Sequence, residues 1–194
     1  MIGKSDYTFT PSAALSGFDP GKSDKLVATF SHENSSISEV TYGGVRMALA
    51  LSSKKTNRLR TAIYYLDSPG KAGDLVVSFH GRGRPNGVGG SLLALSNTAA
   101  GAPAVTAEAE TRSTRLTTPI ENTFLVATHI SNDHRKTAGD TAQSPLESLF
   151  SGPVGSAAGG SGYMRVASRS SVVPTFSANS AEQVTAAAVF APHH

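Results

Sequence analysis

Six histidines, His32, His80, His129, His134, His193 and His194, are the side chains of this sequence best suited to acid–base or metal chemistry. Two-histidine zinc motifs place their ligands roughly three to five residues apart, and His129 and His134 fall in that range. His129, however, belongs to a strand-like run and His134 to a loop, and no third ligand accompanies them. Both read as packed or surface histidines. His193 and His194 carry no functional argument. A serine hydrolase would present its nucleophile on a strained Gly-x-Ser-x-Gly turn, and that pattern is absent. The nearest string, Gly159-Gly160-Ser161-Gly162-Tyr163, has the wrong spacing and reads as a flexible loop. In His80-Gly81-Arg82-Gly83-Arg84-Pro85, glycine amides and arginines could hold a phosphate. Phosphate-cradling loops usually open a helix, whose dipole assists them. Here a strand follows, so the string reads as a connecting loop. Asp133 and Asp140 share a loop and could hold calcium together with carbonyls, but no EF-hand-like spacing supports this. With no cysteine, disulfides and thiolate sites are excluded. The expectation is no catalytic residue, no metal, no cofactor and no enzyme activity.

Charge narrows the partners. Seventeen Lys and Arg against 14 Asp and Glu give a net charge of +3 over 194 residues. The densest basic run, Lys54-Lys55-Thr56-Asn57-Arg58-Leu59-Arg60, has no interleaved aromatic on which a base could stack. It reads as a solvated loop and strand end, and nucleic-acid binding is not expected. The start, Met1-Ile2-Gly3-Lys4-Ser5-Asp6, lacks the basic-then-apolar order of a signal peptide. No apolar run approaches the roughly 20 residues that span a bilayer, so no membrane partner is expected. Asn34-Ser35-Ser36 is a formal glycosylation sequon that has no meaning without export.

The elements that must position these residues are strands. Leu26, Ala28 and Phe30 alternate with Val27 and Thr29, the period of a strand. Val40–Tyr42 and Val45–Leu49 flank Gly43-Gly44, which reads as a tight hairpin because primed turns need positive φ. Further strand patterns cover 61–66, 75–79, 92–95, 105–110, 113–117, 172–176 and 184–190. Phe124–Ile130 is apolar on both faces and reads as central in its sheet. Residues 132–162 read as mostly irregular, and 81–90 as a loop. Ser144-Pro145-Leu146-Glu147 matches a capping box, which predicts a small helix over 145–150 with Ser144 as N-cap. The predicted fold is all-β: an antiparallel two-sheet sandwich, jelly-roll-like, over 26–192, with one short helix and an N-terminal arm over 1–25. Its inward faces should include Leu26, Phe30, Leu75, Val77, Phe79, Phe124, Val126 and Phe190.

Val40-Thr41-Tyr42-Gly43-Gly44-Val45, Tyr64-Tyr65-Leu66 with Pro69, Gly73-Asp74-Leu75-Val76-Val77-Ser78-Phe79 and the closing Ala187-Ala188-Val189-Phe190-Ala191-Pro192 carry a resemblance. From about Leu26 to Pro192 the chain resembles the β-sandwich structural proteins of tailed bacteriophages, such as head decoration, cement or fibre proteins. It is also similar to modules of bacterial surface and secreted proteins. The resemblance brings no catalytic motif. It implies a virion component that decorates or cements a capsid, with the major capsid protein or another virion protein as partner.

The arm supplies the candidate contact residues. Tyr7, Phe9 and Phe18 lie in a Ser-, Gly- and Pro-rich segment whose apolar spacing fits neither strand nor helix; it reads either as a wrapped or frayed terminus or as an arm whose aromatics anchor on a neighbouring subunit. Homo-oligomerisation as a trimer or dimer is expected, since virion lattices place copies around shared axes. The alternative expectation is a carbohydrate-binding or fibre-tip adhesion module. Glycan stacking would then fall to Tyr42, Tyr64 and Tyr65, since the chain has no Trp.

Overall fold

The computed structural model describes residues 4–9, 14–55, 58–80, 86–133 and 139–193, with backbone alone for 4–9, Ala14 and Lys55. The described residues form sixteen strands and no helix. The all-β expectation therefore holds, while the short helix does not form.

The strands make four antiparallel sheets. The central sheet has the order β1-β9-β3-β7-β6, built from β1 (Lys4–Phe9), β9 (Gly87–Leu95), β3 (Lys25–Glu33), β7 (Leu59–Asp67) and β6 (Ala48–Lys55). A second five-stranded sheet runs β10-β16-β12-β14-β13: β10 (Val105–Ala109), β16 (Gln183–Phe190), β12 (Thr123–Ser131), β14 (Ala157–Val166) and β13 (Glu147–Val154). A four-stranded sheet joins β2 (Ala14–Phe18), β8 (Gly73–Phe79), β4 (Ile37–Tyr42) and β5 (Val45–Arg46). The short pair β11 (Leu116–Thr117) and β15 (Ser171–Val172) makes the fourth.

Strand alternation explains the layering. On β3, Leu26, Ala28 and Phe30 pack with Val40, Tyr42, Leu75 and Val77 of the four-stranded sheet. Val27, one residue out of phase, packs instead with Val126, Ala186, Ala188 and Phe190 of the second five-stranded sheet. Successive side chains leave a strand on opposite faces, so the central sheet is covered on both. Every residue of β3 is buried as a result. The outer face of the second five-stranded sheet is covered in turn. There Leu125, Ala127, Ala187 and Val189 lie against Leu116, Ala142, Leu146 and Phe176. A stack of more than two sheets thus replaces the two-sheet expectation. All eight residues expected to face inward join these clusters, Phe79 and Phe124 as half-buried members.

The Gly43-Gly44 hairpin forms as read. Tyr42 pairs with Val45, and both glycines have positive φ, 55° and 81°. β12 is interior to its sheet, between β14 and β16.

The segment 144–150 corrects the helix expectation. Ser144 is exposed and caps nothing. The Ser144–Pro145 peptide is cis, in a turn closed by Leu146 N–H donating to the Gln143 carbonyl at 2.9 Å. From Glu147 onward the backbone pairs with β14. The apolar residues that suggested one helix face are distributed among separate clusters: Leu146 in one, Leu149 in another, Phe150 in a third. A strand with a bulge between Ser148 and Phe150 serves several layers at once, which a single helical face cannot. Packing of this kind overrides local propensity.

Candidate functional site

Among the described residues, three clusters of reactive side chains join strands distant in sequence. The first surrounds His129 in β12. Its Nδ1 lies 2.9 Å from Thr185 Oγ1 on the paired strand β16, in register. Its Nε2 faces Asp140 Oδ2 at 3.4 Å. Asp140 also accepts the Ser131 hydroxyl at 2.6 Å, and Thr185 donates to the Thr111 carbonyl at 2.6 Å. The Phe176 ring stacks on the imidazole at 5.0 Å and 13°. His129, Asp140 and Thr185 have the residue types of a hydroxyl–imidazole–carboxylate relay. All three are fully buried, and the hydroxyl is turned to a backbone carbonyl. As placed, the cluster ties β12 to β16 and to the segment that carries Asp140.

The second cluster centres on Glu33 at the end of β3. Its side chain is wholly buried. Arg58 Nε donates to Oε1, Ser156 Oγ donates to Oε1 at 2.7 Å and Ser156 N–H donates to Oε2 at 2.8 Å. Burial alone would raise this carboxyl's pKa. The Ser156 hydroxyl and amide together with the Arg58 guanidinium outweigh it and hold the group below the ordinary 4.5. Ser156 sits in the β13–β14 turn, where Gly155 has φ 65°. A Cβ on Gly155 would meet Glu33 Oε2 at 2.5 Å, so this turn docks only as glycine.

The third cluster is the pair Lys25 and Asp67, directly opposite each other on β3 and β7. Lys25 Nζ also donates to the Gly101 carbonyl at 2.9 Å, and Gly101 N–H donates to Asp67 Oδ2 at 2.7 Å. The ammonium lies 4.7 Å from the Tyr65 ring centre and 5.5 Å from that of Phe190.

Small hydroxyls join the two five-stranded sheets. Thr29 and Ser91 of the central sheet bond each other at 2.7 Å, and Ser91 reaches Ser161 of β14 at 2.9 Å. Ser31 donates to the His129 carbonyl at 2.7 Å. The Gly159–Tyr163 string is therefore no loop: it lies inside β14, and its serine is buried. The glycines are there for approach. A Cβ on Gly160 would stand 1.9 Å from the Asp140 carbonyl oxygen.

The other sequence candidates separate. Tyr7 and Phe9 lie in β1, in register with Gly90 and Val88 of β9. Phe18 ends β2 and is 9% exposed, within the same core as Tyr42 and Leu75. Residues 81–85, 134–138 and 56–57 lie outside the described residues, and with them His134 and most of the His80–Pro85 string. Asp140 is engaged as above, and among the described residues no group of three or more His, Asp or Glu could hold a metal. Arg58 is turned inward to Glu33, which divides the basic run. Of the tyrosines considered for sugar stacking, Tyr42 is buried and donates to the Phe18 carbonyl at 2.6 Å. Tyr64 is buried edge-on to Phe30. Tyr65 has the Lys25 ammonium over its ring.

Two of the open surface hollows among the described residues are set apart by their linings. One, of about 510 Å³, runs between the β4–β5 hairpin and β6, lined by Ile37, Val40, Met47, Leu49 and Tyr64 among others. The other, about 470 Å³ and polar, includes Asn122, Arg165, Arg169 and His193. Sequence reasoning missed all three clusters except for His129, Asp140 and Arg58, which it named in other roles. The Glu33–Ser156 link spans 123 positions and has no local signal. No family model matches the chain, and no curated protein matches it.

Proposed function

We propose that this chain is a non-catalytic structural protein of a bacteriophage particle, one that decorates or cements the head through a jelly-roll-like stack of sheets. The observation that carries the reading is the use made of the reactive side chains. His129, Asp140, Thr185 and Glu33 are buried and bonded across strands, where they fix one arrangement of sheets. A particle-surface protein needs rigidity more than a reactive cleft, and satisfied buried polar networks supply it.

On this reading the partners are the major capsid protein or another virion protein, and copies of the chain associate as a trimer or dimer. The N-terminal segment, with Tyr7 and Phe9 at the outer edge of the central sheet, is the contact proposed to reach a neighbour. An edge strand offers unpaired backbone groups to another chain. Mass spectrometry of purified particles tests the assignment: the chain should be present at a copy number fixed by lattice symmetry. Its absence from particles would reject it. Removing residues 2–9 should lower the molar mass seen by light scattering while the β-sheet circular dichroism survives. An unchanged mass would remove the arm from the interface.

A further inference from the structure

We propose that Lys25 and Asp67 condense to an intramolecular isopeptide bond, an amide from Nζ to the side-chain Cγ that ties β3 covalently to β7. Four observations point to this pair. The two residues face each other in antiparallel register, and Nζ touches Oδ1. The Lys25 side chain is 1% exposed, and the Tyr65 and Phe190 rings near its ammonium exclude water from the amine. Gly101 clamps both reactants: its carbonyl accepts from Nζ at 2.9 Å and its N–H donates to Oδ2 at 2.7 Å. Finally, the carboxylate is 30% exposed, which leaves released water a path to solvent.

The chemistry closes within the pair. A proton passes from the Nζ ammonium to Oδ1, leaving a neutral amine against a carboxylic acid. The amine lone pair attacks Cγ and the C–N bond forms. Gly101 N–H stabilises the charge that develops on Oδ2, as a backbone donor does in an oxyanion hole. A second proton moves from nitrogen to Oδ1, the C–Oδ1 bond breaks, and water leaves. Oδ2 remains as the amide oxygen. Ammonium plus carboxylate thus become amide plus water, with no oxidant or co-reactant. Condensation also removes two charges whose desolvation is costly in a protein interior. The Arg58–Glu33 pair cannot follow, because a guanidinium stays protonated and is no nucleophile.

Intact-mass spectrometry of the purified full-length chain tests the proposal. The mass should be lower than the sequence mass by one water. Peptide mapping should show no tryptic cleavage after Lys25 and one branched peptide joining it to the segment that holds Asp67. Lys25→Ala and Asp67→Ala should each restore the full sequence mass. An unmodified wild-type mass with a free Lys25 peptide would overturn the proposal. So would a water loss that maps elsewhere or persists in Lys25→Ala. The wild-type map decides the matter even where a variant fails to fold.

Discussion

Acidification should destabilise this protein through His32 before its carboxylates respond. His32 lies in β3 and is 2% exposed. Its Nδ1 is 3.2 Å from Ser35 Oγ, its ring meets Phe79 edge-on, and Arg60 is its cross-strand partner. Burial, and after it the Arg60 charge, lower the imidazole pKa from 6.5 to about 4, against a smaller raising effect from Ser35. Above pH 6.5 both the folded and unfolded chains hold a neutral ring, and the full stability is present. As pH falls below that value the unfolded chain takes up a proton that the folded chain refuses. Stability is lost down to about pH 4, where the folded ring also charges. Each pKa unit is worth about 1.4 kcal/mol, so the whole loss is about 3 kcal/mol, most of it complete near pH 4.5. Urea midpoints measured from neutral pH to about pH 4.5 will show it. His32→Asn, whose amide can replace the Nδ1 contact to Ser35, should flatten that decline. An NMR titration of the ring should give a midpoint near 4. A ring midpoint near 6.5, or the same pH profile in wild type and variant, would refute the reasoning.

Three further outcomes follow from the clusters. Glu33→Gln should destabilise the fold by about 2 kcal/mol, below the range for fully buried pairs because Arg58 reaches solvent. The depressed Glu33 pKa means its contribution is complete above 4.5 and is lost as pH falls through the lower folded value; the variant's urea midpoint should therefore fall less steeply with pH than the wild type's in that acidic range. Gly160→Ala should cost 3 kcal/mol or more, about the upper range for overpacking, since its methyl would strike the Asp140 carbonyl; thermal melts measure this. Tyr163, whose pKa burial and the adjacent Glu147 push up to about 12, should ionise late in an ultraviolet alkaline titration, and Glu147→Gln should bring its midpoint down.

Period-two alternation made most strands legible, because a strand between two apolar layers must carry apolar residues on both faces. β3 and β12 announce their burial this way. The Gly43-Gly44 turn was legible because its backbone conformation all but demands glycine. Glycine elsewhere misled. Segments 87–90 and 159–162 look like loops by composition, yet they are interior strand residues. Gly89 makes room for the Phe150 ring and Gly160 for a carbonyl. That requirement comes from a neighbour far along the chain, so no local pattern records it. The capping box at Ser144 failed for the same reason, since pairing with β14 decides the backbone there. In the buried clusters, His129 and Asp140 stood out by residue type alone. Thr185, Ser131, Glu33 and Ser156 did not, because their roles exist only once the sheets have met.

The place of β16 has a consequence for synthesis. This strand lies between β10 and β12 and supplies apolar residues to both faces of its sheet. A chain grows from its N-terminus, and its earlier segments begin to fold first. Until Phe190 has left the ribosome, β10 and β12 each present an open edge, and an open edge is a template for pairing with another chain. The nascent protein therefore passes through a state in which β10 and β12 are made and their edges are still adhesive. Its yield in a cell will depend on how quickly β16 arrives and how well those edges are shielded meanwhile.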